Sequence, residues 1–110
     1  MELEIKESGD IRILNFVGNL DTNTSPDAES TINGLIADGG QKLLVNFENL
    51  NFISSSGLRV LLATAKKLKG TGGNLKICGL NPTVQEVFDI SGFGSILDVS
   101  KTEADALSSF

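Results

Sequence analysis

The chain has 110 residues, a net charge of −5, 40% apolar residues and 21% charged ones. That balance suits one folded domain over residues 1–110 and excludes a disordered chain or a basic nucleic-acid binder. Histidine is absent and Cys78 is the only cysteine, so Ser-His-Asp and Cys-His arrangements, His metal sites and an intramolecular disulfide are all excluded.

Residues 2–7 alternate Leu and Ile with charges, the pattern of a strand with one wet face. Gly9-Asp10 signals a turn, and the more apolar 11–17 reads as a central strand. Gly18-Asn19-Leu20-Asp21 ends that strand and opens a polar loop, Thr22-Asn23-Thr24. Ser25-Pro26 reads as the cap and first position of a helix carrying Ala28, Ile32, Leu35 and Ile36, stopped by Gly39-Gly40.

Residues 43–47 make a buried strand, and 48–53 carry the chain to the run Ser54-Ser55-Ser56. A second helix starts there, with Leu58, Leu61, Leu62, Ala65 and Leu68 as its apolar stripe. Lys66, Lys67 and Lys69 form a solvated face in its last turn, where the helix dipole favours cations. Gly70-Thr71-Gly72-Gly73 is a stop and turn. It follows a helix and lacks the Gly-Lys-Ser/Thr ending, so it is not a phosphate-binding loop. Residues 74–78 form a strand with Cys78 as a buried small hydrophobe. A third helix runs from Asn81-Pro82 to about Ser91-Gly92, a short last strand is predicted at Ile96-Leu97, and a fourth helix covers Lys101 to Leu107.

The predicted order is β-β-α-β-α-β-α-β-α: an α/β chain with a mixed, mostly parallel sheet and four helices. Loops after strand C-termini carry function in such folds, which singles out the loop after Gly18 and the serine run. No run has the length of a signal core or a membrane span, and with one cysteine the expected location is the cytoplasm.

Two readings of the serine run stay open. Ser is a favoured helix cap, because its hydroxyl accepts a bond from a free backbone N–H. The same helix N-terminus also suits a phosphate. Arg59, four residues after Ser55, faces the same side and is either a phosphate partner or an ordinary exposed Arg. Asp21 is either an acid near the serines or a turn cap. A hydrolase serine is disfavoured, since no nucleophile elbow and no His base are present. No cofactor, metal or enzymatic activity is expected.

Taken together, Leu43-Leu44-Val45-Asn46-Phe47, Leu50 and Phe52-Ile53-Ser54-Ser55-Ser56-Gly57-Leu58 resemble the signature of STAS domains of the anti-sigma factor antagonist type. Gly18-Asn19-Leu20-Asp21 is similar to that family's Gly-x-Leu/Ile-Asp element, and Asn81-Pro82 to Gly92-Phe93 with the last helix is similar to its tail. The resemblance implies that Ser55 is the phosphoacceptor, with Asp21 near it. It also implies that Thr22, Asn23, Ser54, Ser56, Gly57 and Arg59 belong to the partner-binding or switch region. Ser54 stands where many members carry Asp, so Ser54 and Ser56 stay alternatives for modification.

The implied partners are an anti-sigma factor that is also a serine kinase, bound when the chain is unphosphorylated, and a metal-dependent serine phosphatase that resets it. Binding frees a sigma factor, and phosphorylation ends it. The other reading is a STAS interaction or scaffold module without a phosphoswitch.

Overall fold

Successive side chains of a strand point to opposite faces, so each strand here serves two environments. A computed structural model describes residues 1–110. Strands β1 (Glu2–Ser8) and β2 (Ile11–Leu20) form an antiparallel hairpin turned at Gly9, which takes φ 62°. β2 pairs in parallel with β3 (Lys42–Asn46) and β4 (Leu50–Ile53). β3 pairs in parallel with β5 (Asn74–Cys78), and β5 with β6 (Asp98–Ser100). The order is β1-β2-β3-β5-β6, with β4 paired to the far part of β2. The helices are α1 (Ser25–Ala37), α2 (Ser55–Gly70), α3 (Pro82–Ser91) and α4 (Glu103–Ser108), with a 3-10 turn at Phe93–Ser95. A mixed, mostly parallel sheet with four helices is therefore what forms.

Four local expectations are corrected. Residues 50–53 are a strand, not a connection. With Leu50 and Ile53 buried and Asn51 and Phe52 exposed, β4 shows no period of two. β2 continues past Gly18 to Leu20, because beyond Asn15, its last partner position on β3, it pairs with β4 from Gly18 onward, with a register shift inside that second pairing at Gly18/Asn19. The last strand is Asp98–Ser100 rather than Ile96-Leu97. Ile96 is exposed, and the polar residues are drawn into the sheet by pairing with β5, Lys76 opposite Asp98. α1 begins at Ser25 with Thr24 in the cap position, so Pro26 is its second residue.

The larger core lies on one side of the sheet. Leu14, Phe16, Leu43, Val45, Leu75 and Ile77 pack there with Ala28 and Ile32 of α1, Leu58, Leu61 and Leu68 of α2, and Val84 and Phe88 of α3. Phe16 and Phe47 meet edge to face with ring centroids 5.3 Å apart, a favoured aromatic geometry. The Asn81 side chain caps α3 by accepting from the Val84 N–H at 2.8 Å, and its amide donates to the Leu50 carbonyl at 2.8 Å. One residue thereby starts α3 and docks it on β4.

The opposite face holds a smaller cluster, Ile13, Leu44, Cys78 and Ala106, under α4. Lys76 lies on this face, buried, ion-paired with Asp98 and 5.3 Å from the centroid of the Phe110 ring. Its charge is tolerated because it has a carboxylate partner and an aromatic face. The Asn46 amide donates to Glu103 at 3.1 Å, tying the start of α4 to β3. Cys78 has the environment expected for it: burial, and then the charges of Glu103 and Glu48, push its thiol up to about 11.

Phe47→Ala should cost about 3–5 kcal/mol in urea unfolding, the usual range for emptying a fully buried Phe site. Cys78 should resist alkylation at pH 8 until the protein unfolds. The folded chain keeps a thiol proton that the unfolded chain releases near 9.0, so stability should fall as pH rises from there towards about 11. Thermal melts across that range should show the fall in the parent and lose this component in Cys78→Ala.

Candidate functional site

Two strands of different origin end side by side. Leu20, the last residue of β2, is the register partner of Ile53, the last residue of β4. The Ser54 N–H donates to the Leu20 carbonyl at 2.9 Å, extending the ladder by one bond. The loop after β2 and the start of α2 therefore meet at one end of the sheet.

Gly57 allows this approach. A Cβ on Gly57 would lie 2.8 Å from Ile53 Cγ1, 2.8 Å from Leu20 Cγ and 3.0 Å from the Leu20 carbonyl oxygen. The contact is the reason for a glycine here, because its backbone lies outside the positive-φ region. The first turn of α2 thus rests directly on the ends of β2 and β4.

The three serines do different jobs. Ser54 is the N-cap in extended conformation, and its hydroxyl accepts from the Gly57 N–H at 3.4 Å. Ser56 and Thr22 share a hydroxyl–hydroxyl bond of 3.3 Å, the side-chain link between the two loops. Ser55 opens the helix, is exposed, and has no side-chain hydrogen bond. The backbone amides of Ser55 and Ser56 also lack backbone acceptors, as the first amides of a helix do. They lie at the positive end of the α2 dipole.

Asp21 is half-buried and works within its own loop. Its carboxylate accepts from the Asn23 N–H at 2.9 Å, the Thr24 N–H at 3.1 Å and the Thr24 hydroxyl at 3.2 Å. The one proton of the Thr24 hydroxyl is shared between that carboxylate and the nearer Asn19 carbonyl at 2.9 Å, while the hydroxyl oxygen accepts from the Asp21 N–H at 2.9 Å. Asp21 makes no hydrogen bond to the serine run. It shapes the loop that carries Thr22 and Asn23, both exposed.

Arg59 is exposed and forms no salt bridge. It lines a groove between α1 and α2 together with Thr22, Ser25, Glu29, Asn33 and Ser56. The α1 residues of this wall escaped the sequence reading. The signal was there, because Ser25, Glu29 and Asn33 follow a spacing of four, one polar row beside the buried Ala28 and Ile32. Lys67 of α2 reaches across to α1 by donating to Asn33 at 3.2 Å.

These features define a class: a mixed α/β protein in which two strand-end loops meet over a serine-capped helix, with an exposed hydroxyl and free amides at its tip. The chain belongs to the STAS-domain family, whose model matches residues 2–106. It is 33% identical to BtrV of Bordetella bronchiseptica, provisionally named an anti-sigma factor antagonist, over 100% of this chain and 95% of that one. It is 29% identical to the anti-sigma F factor antagonist of Paenibacillus polymyxa, over 97% of this chain and 92% of that one. Among solved structures it is similar to the anti-sigma factor antagonist SpoIIAA of Bacillus. The unphosphorylated form aligns with a TM-score of 0.75 at 24% identity, over 97% of this chain and 96% of that one. The phosphorylated form aligns with a TM-score of 0.74 at 25% identity, over 97% of each.

Gly57→Ala separates packing from helix propensity. Ala favours the helix by about 1 kcal/mol over Gly, whereas forcing a methyl into a filled site costs roughly 1–3 kcal/mol. The expected outcome is a net loss of stability in urea, with amide shift changes centred on Leu20 and Ser54. A gain in stability would show that α2 does not rest on β2 as described.

Proposed function

We propose that this chain is an anti-sigma factor antagonist controlled by phosphorylation of Ser55. The observation that carries the reading is the division of labour in the serine run: Ser54 caps, Ser56 is tied to Thr22, and Ser55 alone offers an exposed hydroxyl with no side-chain hydrogen bond. The relatives named as anti-sigma factor antagonists support the same role.

In this reading residues 1–110 act as one domain in the cytoplasm, by binding and not by catalysis. The unphosphorylated chain binds an anti-sigma factor that is also a serine kinase, and so frees the sigma factor. The docking face comprises Asp21, Thr22, Asn23, Ser54, Ser56, Gly57 and Arg59 around Ser55. The kinase transfers the γ-phosphoryl group of ATP to the Ser55 hydroxyl, whose proton leaves, and a metal-dependent serine phosphatase removes the phosphate by hydrolysis.

The physical effect of the phosphate is local. It adds about −1.5 to −2 charges where the α2 dipole and the free amides of Ser55 and Ser56 can accept them. The fold therefore has no need to change. The partner's surface, formed around a neutral hydroxyl, then has to desolvate a dianion. An uncompensated charge at an interface costs roughly 2–5 kcal/mol, or about 30-fold or more in affinity.

The test is an intact mass with site-localised fragmentation on the chain isolated from its own cells, alongside Ser55→Ala. One phosphate on Ser55, absent from the variant, is expected. With its kinase partner, Ser55→Ala should bind and not be released by ATP, while the phosphorylated parent should bind about 30-fold or more weakly. Phosphate on Ser54 or Ser56 would move the site. A chain that carries no phosphate in growth or stress would favour the other reading, a scaffold module without a switch.

A further inference from the structure

β1 is the edge of the sheet, and its one strand partner is β2. Its pairing with β2 runs without a bulge from Glu2 opposite Val17 to Ser8 opposite Ile11, so the outer edge is equally regular. All its residues but Leu3 are exposed, and it contains no proline. Such an edge offers a row of open N–H and C=O groups to another chain unless something repels it.

The side chains of β1 decide what that chain can be. Glu2, Glu4 and Lys6 share one face, opposite Val17, Asn15 and Ile13, while Leu3, Ile5 and Glu7 share the other. Ile5 is 46% exposed, a large apolar side chain left open in the middle of the edge. Lys6 has no salt bridge. Glu4 is already oriented, since the Asn15 amide donates to its carboxylate at 2.9 Å.

We propose that β1 is a self-pairing edge, on which a second copy of this chain docks antiparallel about a two-fold axis through Ile5. In that register Ile5 faces its own copy. Glu4 faces Lys6 of the second copy, and Lys6 faces its Glu4. Directly opposite side chains on antiparallel strands lie close enough for opposite charges to attract and like charges to repel. The neighbouring two-fold registers fail this criterion: centring on Glu4 opposes two glutamates, and centring on Lys6 opposes two lysines. Centring on Ile5 pairs all seven residues with no like charges opposed.

A charged edge guards against association when its charges repel an incoming copy. Here the sign change across Ile5 turns the guard into a complement. The seam is about 24 Å long, which suits a reversible dimer and leaves the serine site outside it.

The test is sedimentation equilibrium of the full chain over a wide concentration range, with circular dichroism to verify folding. The parent should shift from monomer to dimer mass as concentration rises. Lys6→Glu and Glu4→Lys should each weaken self-association by about tenfold or more, because each puts like charges opposite across the seam. An equimolar mixture of the two variants should associate more tightly than either alone, since every cross-seam pair is again of opposite sign. The mixture also controls for the lost Asn15 bond. A parent that stays monomeric at millimolar concentration, or a dimer indifferent to these charges, would overturn the proposal.

Discussion

The contact of Gly57 with the end of β2 governs the site. Leu20 presents its side chain to the first turn of α2 and its carbonyl to the Ser54 N–H. This is possible because β2 runs on past Gly18 and takes β4 as a second partner. The serine-bearing helix is therefore anchored to the sheet at its very first turn, where isolated helices are weakest. An exposed hydroxyl on such an anchored turn has a defined position without being buried.

The two faces of the sheet divide the remaining work. The face under α1, α2 and α3 carries the larger apolar cluster, including the Phe16–Phe47 contact. The face under α4 is more polar, with Lys76 held by Asp98 and Phe110, and Asn46 by Glu103. Only Lys76 is buried in its pair, with Asp98 open to solvent. The pair therefore adds little net stability compared with apolar packing, but an arrangement that left the Lys76 ammonium buried without its carboxylate would be costly. That fits its place here, where a six-residue helix has little apolar surface to fix its seat. Burial of Cys78 beneath α4 belongs to the same arrangement and makes the thiol a packing group.

Much of this was legible along the chain. The amphipathic stripe of α2, its basic last turn, the glycine stops and the Asn-Pro opening of α3 are local signals, and each marks the element that forms. β4 and β6 were not legible in place. A strand of three or four residues has too few positions to show a period, and its membership depends on a partner far away in sequence. In the last strand apolar character pointed to Ile96, yet Asp98 is the residue opposite Lys76.

The sequence by itself determined the class of chain, the absence of His-based chemistry, and the meeting of a serine run with a helix start, because composition and local periodicity are properties of neighbouring residues. Only the tertiary structure assigned separate jobs to Ser54, Ser55 and Ser56. Three adjacent serines are chemically alike until Thr22, Gly57 and Leu20 are brought against them, and those contacts depend on the pairing of β2 with β4 across some thirty residues of chain.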